Sequence, residues 1–193
     1  GFDDNYLFAK EVLNKLNIKA IFFVIPKFIN TNCSSINNDF FKVLYPNHNS
    51  KLLNNLKETF VPLNLNKIVK IKNLGHTIGM HGYNHENFGE LNENEVYNII
   101  QKSIEIFKEY NFDIKHFAYP FGNATSFNDK SNQIISRYFD YIYLGTRGFN
   151  FINVNTNKKS SKFLNRHPLS THNNNLFYYP IKYNEVYFFT HNR

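Results

Sequence analysis

Asp3 and Asp4 stand side by side at the start of the sequence, His81 and His85 are spaced i, i+4, and His191 follows an apolar run near the end. Two imidazoles at that spacing share one face if a helix begins at His81. A carboxylate from elsewhere would then complete a two-histidine, one-carboxylate set for a divalent cation, with Asp4 the natural third ligand. Neighbouring residues on a regular strand point to opposite faces, so two adjacent aspartates address one site only where a strand gives way to a loop, a break that Asn5 and Tyr6 supply. Each feature alone is commonplace, since paired aspartates are more often a turn or helix cap and HxxxH pairs are more often surface histidines. What singles them out is that they fall at the ends of successive predicted strands, the edge that lines the site in parallel α/β folds. The single cysteine, Cys33, can form neither an internal disulfide nor a multi-thiolate site, so any metal must use histidine and carboxylate.

The elements that must position these residues follow from apolar spacing. Residues 6–16 carry a helical pattern, and 19–25 read as a buried strand stopped by Pro26. Residues 27–62 are polar and asparagine-rich and are expected to be an insertion, with a short helix around 51–57. The pattern then predicts a helix over 66–73, a turn at Gly75, and a strand at 77–80 running directly into the histidine pair. Asn92 with Glu95 predicts a capping box for a helix ending near Tyr110, followed by a strand over 114–119. A helix opened by Ser126 or Asn128 and reaching Tyr138, a strand at 141–144 and a final strand at 186–190 complete the series. Such alternation argues for a mostly parallel sheet or barrel with helices outside, and neither an internal repeat nor a linker divides residues 1–193, which are expected to form a single domain.

Composition narrows the function classes. The chain of 193 residues is 42% hydrophobic and 18% aromatic, too apolar for intrinsic disorder. Its longest apolar run, 20–25, falls far short of the ~20 residues that cross a bilayer. The net charge of +7, from 22 basic and 15 acidic residues, is spread along the chain, with Lys158 and Lys159 the one adjacent lysine pair. That distribution reads as a solvated surface and predicts no nucleic-acid partner. The sequence opens on Gly1 with neither an initiator methionine nor a basic segment ahead of an apolar one, so the native start is not visible and targeting cannot be read from it.

The stretch FAYPFG, residues 117–122, adds a further strand end, and with it the chain resembles the polysaccharide deacetylases of the NodB-homology family. GFDDNY resembles the family's first motif, usually TFDDG. HGYNH resembles the second, H-[ST]-x-x-H; FAYPFG the third; and FFTH the fifth. The resemblance implies a distorted (β/α) barrel whose first strand would precede the aspartates and is expected to be missing here. It also implies one divalent metal ion, most often zinc, and hydrolytic removal of acetyl groups from a carbohydrate. The implied substrate is an N-acetylhexosamine unit of a bacterial surface or cell-wall polysaccharide.

Carried over by position, the resemblance makes Asp3 the general base, Asp4, His81 and His85 the metal ligands, and His191 the general acid. It assigns the loop Tyr119, Pro120 and Phe121 to the oxyanion and substrate, with the backbone N–H at Phe121 as donor. The chemistry is coherent: a bound metal lowers the pKa of water from about 15.7 toward ~7, a carboxylate takes its proton, and the expelled amine needs an acid. Departures also mark the chain. Asn5 replaces a glycine, Ala118 stands where many members carry an arginine that steadies the base, and the aspartate-rich fourth motif is absent. Arg166, within residues 165–168, could supply that guanidinium from a later strand. Removal of an O-acetyl ester, C–N hydrolysis of a non-sugar amide, and a carbohydrate-binding pseudoenzyme remain alternatives. His48, His76, His116 and His172 lack partners at ligand spacing and read as surface or packing residues, whereas Tyr83, Tyr119 and Phe121 are candidates to stack on a sugar ring.

Overall fold

Alternating helix and strand signals resolve into one parallel sheet. The computed structural model describes residues 1–29, 61–148, 150 and 162–166. Its strands are β1 (Ile21–Val24), β2 (Thr77–Met80), β3 (His116–Ala118), β4 (Tyr141–Leu144) and β5 (Phe163–Asn165). They pair in chain order, every neighbour parallel. Sequential parallel order is how the wall of a (β/α) barrel is built; the described strands form an open sheet, and closure into a barrel is not seen among them. The expected strand at 186–190, the helix at 51–57 and nearly all of the insertion at 27–62 lie outside the described residues.

Four α-helices are described: α1 (Asp4–Phe8), α2 (Leu65–Asn73), α3 (Glu93–Glu109) and α4 (Asp129–Ile135). Asn92 and Glu95 form the expected capping box, each satisfying a backbone N–H of the other. Of the two candidate caps for α4, Asn128 is the one used, in a reciprocal pair with Ser131. The buried positions of α3, Val96, Ile100, Ser103 and Phe107, recur at three- and four-residue spacing on one stripe, as an amphipathic helix requires. Val96, Ile100 and Phe107 meet Ile134 and Ile135 of α4 and Phe117 of β3 in one core, where each large side chain contributes roughly 1.5–3 kcal/mol by leaving water.

The first helical segment departs from its sequence pattern. After α1 the chain makes a π-helical turn, Ala9–Leu13, that buries Ala9 and Leu13. Leu7, Phe8 and Leu16, expected on the apolar face, are more than half exposed among the described residues.

Candidate functional site

All five strands run the same way, so their carboxyl ends form one edge, and most of the chemistry-bearing residues described here collect along it. His81 is the residue after β2, and its N–H donates to the carbonyl of Val24 at the end of β1 (3.0 Å). Tyr119 follows β3 and donates to the carbonyl of Tyr143 in β4 (3.1 Å). Arg166 follows β5.

His81 and His85 do converge, their ring centroids 5.0 Å apart, but not on a helix. Residues 82–84 form a turn, Gly82 has φ +71° and His85 itself has φ +61°. Two left-handed residues within four positions cannot propagate an α-helix. The expected helical face is therefore corrected to a tight loop, and its brace is Glu86. Glu86 Oε2 accepts from the N–H of Tyr83 and Oε1 from that of Asn84, both at 2.9 Å. A Cβ at Gly82 would stand 2.7 Å from Glu86 Oε2 and 3.3 Å from Pro120, so another residue would have to push the brace aside and also adopt a left-handed backbone.

The two imidazoles are prepared as neutral donors of lone pairs. His81 Nδ1 donates to the Ala118 carbonyl at 2.7 Å, which fixes the tautomer and leaves Nε2 free to coordinate. Burial, and then the neighbouring His85, push the His81 pKa down to about 3; burial pushes His85 down to about 4. His85 Nδ1 is buried and has no hydrogen-bond partner among the described residues. A buried, unpaired ring nitrogen beside a second lone pair suits a divalent cation. The third ligand is not in place: Asp4 is exposed and accepts from Asn5 Nδ2 at 3.1 Å, and no three His, Cys, Asp or Glu side chains among the described residues gather closely enough to hold one ion.

Asp3 sits at the N-cap position of α1, yet its side chain makes no capping bond. Both carboxylate oxygens are instead held by Lys67 Nζ of α2, at 2.5 and 2.6 Å. Arg166, expected to be able to steady Asp3, is engaged elsewhere. Its Nε donates to the Leu144 carbonyl (3.0 Å), its Nη2 to the Tyr119 carbonyl (3.4 Å), and its guanidinium lies 5.8 Å from the Phe23 ring centroid. It thus clamps the ends of β3 and β4, and its burial lowers its pKa.

The loop after β3 holds Phe121 at φ +60°, its exposed ring edge-on to His85 with centroids 4.6 Å apart. The Phe121 N–H meets no acceptor among the described residues. Gly122 and Gly145 touch backbone to backbone, Gly145 N donating to the Gly122 carbonyl at 2.7 Å, which ties this loop to the end of β4. Tyr119 is corrected: its ring is fully buried against Phe88 and Phe117, its hydroxyl donates to Asn132 Oδ1 at 2.8 Å, and burial raises its pKa, so it cannot stack on a sugar. Tyr83 carries Lys102 Nζ 4.2 Å from its ring centroid. His76 is buried against Phe22 and His116 stacks on Tyr141, both packing roles. His191, Cys33, His48, His167 and His172 lie outside the described residues.

Glu86 and Lys67 are the residues that sequence reasoning missed. Glu86 had a local signal, a carboxylate immediately after a glycine-containing histidine turn. Lys67 had none, being 64 positions from Asp3.

Comparison with known proteins bears on the family and the fold. The profile of the polysaccharide deacetylase family matches residues 2–139. Among solved structures, IcaB from Ammonifex degensii superposes with a TM-score of 0.62 at 17% identity, covering 89% of this chain and 65% of that one. The Streptococcus pyogenes deacetylase PplD, in complex with acetate, gives 0.60 at 20% identity, covering 86% and 59%. The BpsB deacetylase domain from Bordetella bronchiseptica gives 0.61 at 13%, covering 86% and 67%. The chain thus spans less than two thirds of the length of the first two structures. No curated protein matches significantly.

Proposed function

The chain belongs to the polysaccharide deacetylase family, and from that premise we propose that it is a metal-dependent hydrolase that removes acetyl groups from an N-acetylhexosamine unit of a surface or cell-wall polysaccharide. The observation that carries this reading is the pair of neutral imidazoles, His81 with Nε2 free and His85 with a buried nitrogen unpaired among the described residues, at the strand edge that also carries the Phe121 loop. His81 and His85 would hold the ion, with Asp4 completing the set once its exposed carboxylate turns from Asn5. A divalent ion held there, zinc being the expected one, would supply Lewis acidity toward the acetyl carbonyl and water.

The chain's own residues account for the remaining work. Asp3 accepts the proton from the attacking water, and its two oxygens offer enough lone pairs to do so while Lys67 is bound. The N–H of Phe121, which meets no acceptor among the described residues, donates to the oxygen that gains charge as the carbonyl becomes tetrahedral; one such donor is typically worth about 3 kcal/mol. His191 would return a proton to the departing amine.

The test is acetate release from N-acetylglucosamine oligomers with zinc, after chelation, and with Asp3→Asn. Chelation and Asp3→Asn should each reduce release by about 100-fold or more. Equal release in all three conditions refutes the assignment. The separation of Asp4 from the histidines favours one alternative, a carbohydrate-binding pseudoenzyme, which predicts oligosaccharide binding without any acetate release.

A further inference from the structure

The reading of Asp3 as base leaves open what aims it. A carboxylate on a short exposed helix rotates freely, and a base must present one oxygen to water at a fixed angle to be effective. The family's motif places an arginine where this chain has Ala118, whose side chain carries no charge and whose carbonyl is already bound to His81. Arg166 is committed to the carbonyls of Leu144 and Tyr119. Among the described residues the one side chain that bonds Asp3 is Lys67, and it bonds both oxygens.

The pair is built by local architecture. Phe2 bridges Pro62 in antiparallel fashion. The Asp3 N–H donates to the Val61 carbonyl at 2.7 Å, and the Leu63 N–H to that of Gly1 at 3.0 Å. Asn64 then caps α2 by accepting from the N–H of Lys67 at 2.9 Å, so Lys67 is fixed in the first turn, close in sequence to the bridge residue Pro62. The Tyr6 ring, its centroid 6.0 Å from Lys67 Nζ, flanks the ammonium. Both side chains are 29% exposed, which shields the pair in part from the competition with water that makes fully exposed ion pairs weak.

We propose that Lys67 is the positioning residue of the Asp3 base, supplied from the start of α2 in place of an arginine on the third motif. This rests on the deacetylase reading above. In this role Lys67 acts through Asp3 alone: by holding both of its oxygens it fixes the orientation of the carboxylate.

The experiment is steady-state acetate release by Lys67→Ala, Lys67→Arg, Asp3→Asn and the Asp3→Asn/Lys67→Ala double variant, each with a thermal melt. Lys67→Ala should lower kcat about tenfold, equivalent to about 1.4 kcal/mol, with KM within about twofold. Lys67→Arg should recover most of that loss, and the double variant should be no slower than Asp3→Asn alone. A folded Lys67→Ala protein with wild-type kcat, beside an inactive Asp3→Asn, overturns the proposal while sparing the deacetylase reading, and so does a double variant slower than Asp3→Asn by the full single-variant factor. If Lys67→Ala fails to fold, Lys67→Arg decides: retained kcat supports the role, and a tenfold loss in a stable protein overturns the claim that a cation at this place suffices. A wild-type protein that releases acetate no faster than Asp3→Asn fails the underlying reading instead, and the inference falls with it.

Discussion

Replacing Glu86 by glutamine tests the claim that this carboxylate, and not helical propensity, brings the two histidines together. Its two oxygens each accept one backbone N–H at 2.9 Å, from Tyr83 and Asn84. Hydrogen bonds to a charged acceptor contribute about 1.5–3 kcal/mol each. Glutamine keeps one acceptor oxygen and turns an NH2 group toward the other N–H, so one such bond is lost and a partly buried donor is left unpaired. The loop also carries the left-handed backbone of His85, a cost of roughly 1–2 kcal/mol for a non-glycine residue that the Glu86 bonds help to offset. Glu86→Gln should therefore destabilise the protein by about 2 kcal/mol, which for a chain of this size lowers Tm by about 4–8 °C. The assay is urea unfolding followed by far-UV circular dichroism with chelator present, so that no metal contributes to the difference. Glu90→Gln, at an exposed neighbour that accepts from the Asn87 side chain, serves as the surface control. An unchanged m with a lower midpoint is the expected pattern. Stability of Glu86→Gln within about 0.5 kcal/mol of wild type would refute the brace, because the named bonds would then contribute no more than ordinary surface contacts do.

Two other consequences are directly measurable. Gly145→Ala would place a Cβ 2.7 Å from the Gly122 carbonyl oxygen and 2.8 Å from its Cα, backbone atoms that cannot swing aside; overpacking of this kind costs about 1–3 kcal/mol and should displace the Phe121 loop, lowering both stability and acetate release, and wild-type values of both would show that the backbone approach is dispensable. Folded-state pKa values of about 3 for His81 and about 4 for His85, against 6.5 when unfolded, mean that the unfolded chain binds more protons between pH 6.5 and 4. Stability of the metal-free protein should accordingly fall as pH is lowered through that window, by about 1.4 kcal/mol per pH unit for each fully coupled histidine, and equal urea midpoints at pH 7 and pH 5 would contradict the buried neutral state.

What could be read from the sequence and what could not divide along a physical line. The capping box at Asn92 and the strands Thr77–Met80 and Tyr141–Leu144 are specified by residues within a few positions of one another, and the structure has them where local chemistry places them. His81 and His85 were legible as partners for the same reason, yet the element joining them was misread. Spacing of i, i+4 fits a helix and a tight loop equally well, and the glycine and carboxylate that decide between them act through φ and a hydrogen bond, which periodicity does not register. Tyr119 was misplaced because a parallel sheet covered on both faces buries successive residues without alternation, so Phe117, Ala118 and Tyr119 are all inside. Lys67 lies furthest beyond a sequence argument. It is one of many scattered lysines, and the tertiary pairing of residues 1–3 with 61–63 brings the start of α2 to Asp3. The residues that would do the chemistry are thus marked by following strands, whereas the residues that aim them are chosen by tertiary contact. A chain can for that reason move its base-steadying cation from one strand end to a helix start while its motifs still align.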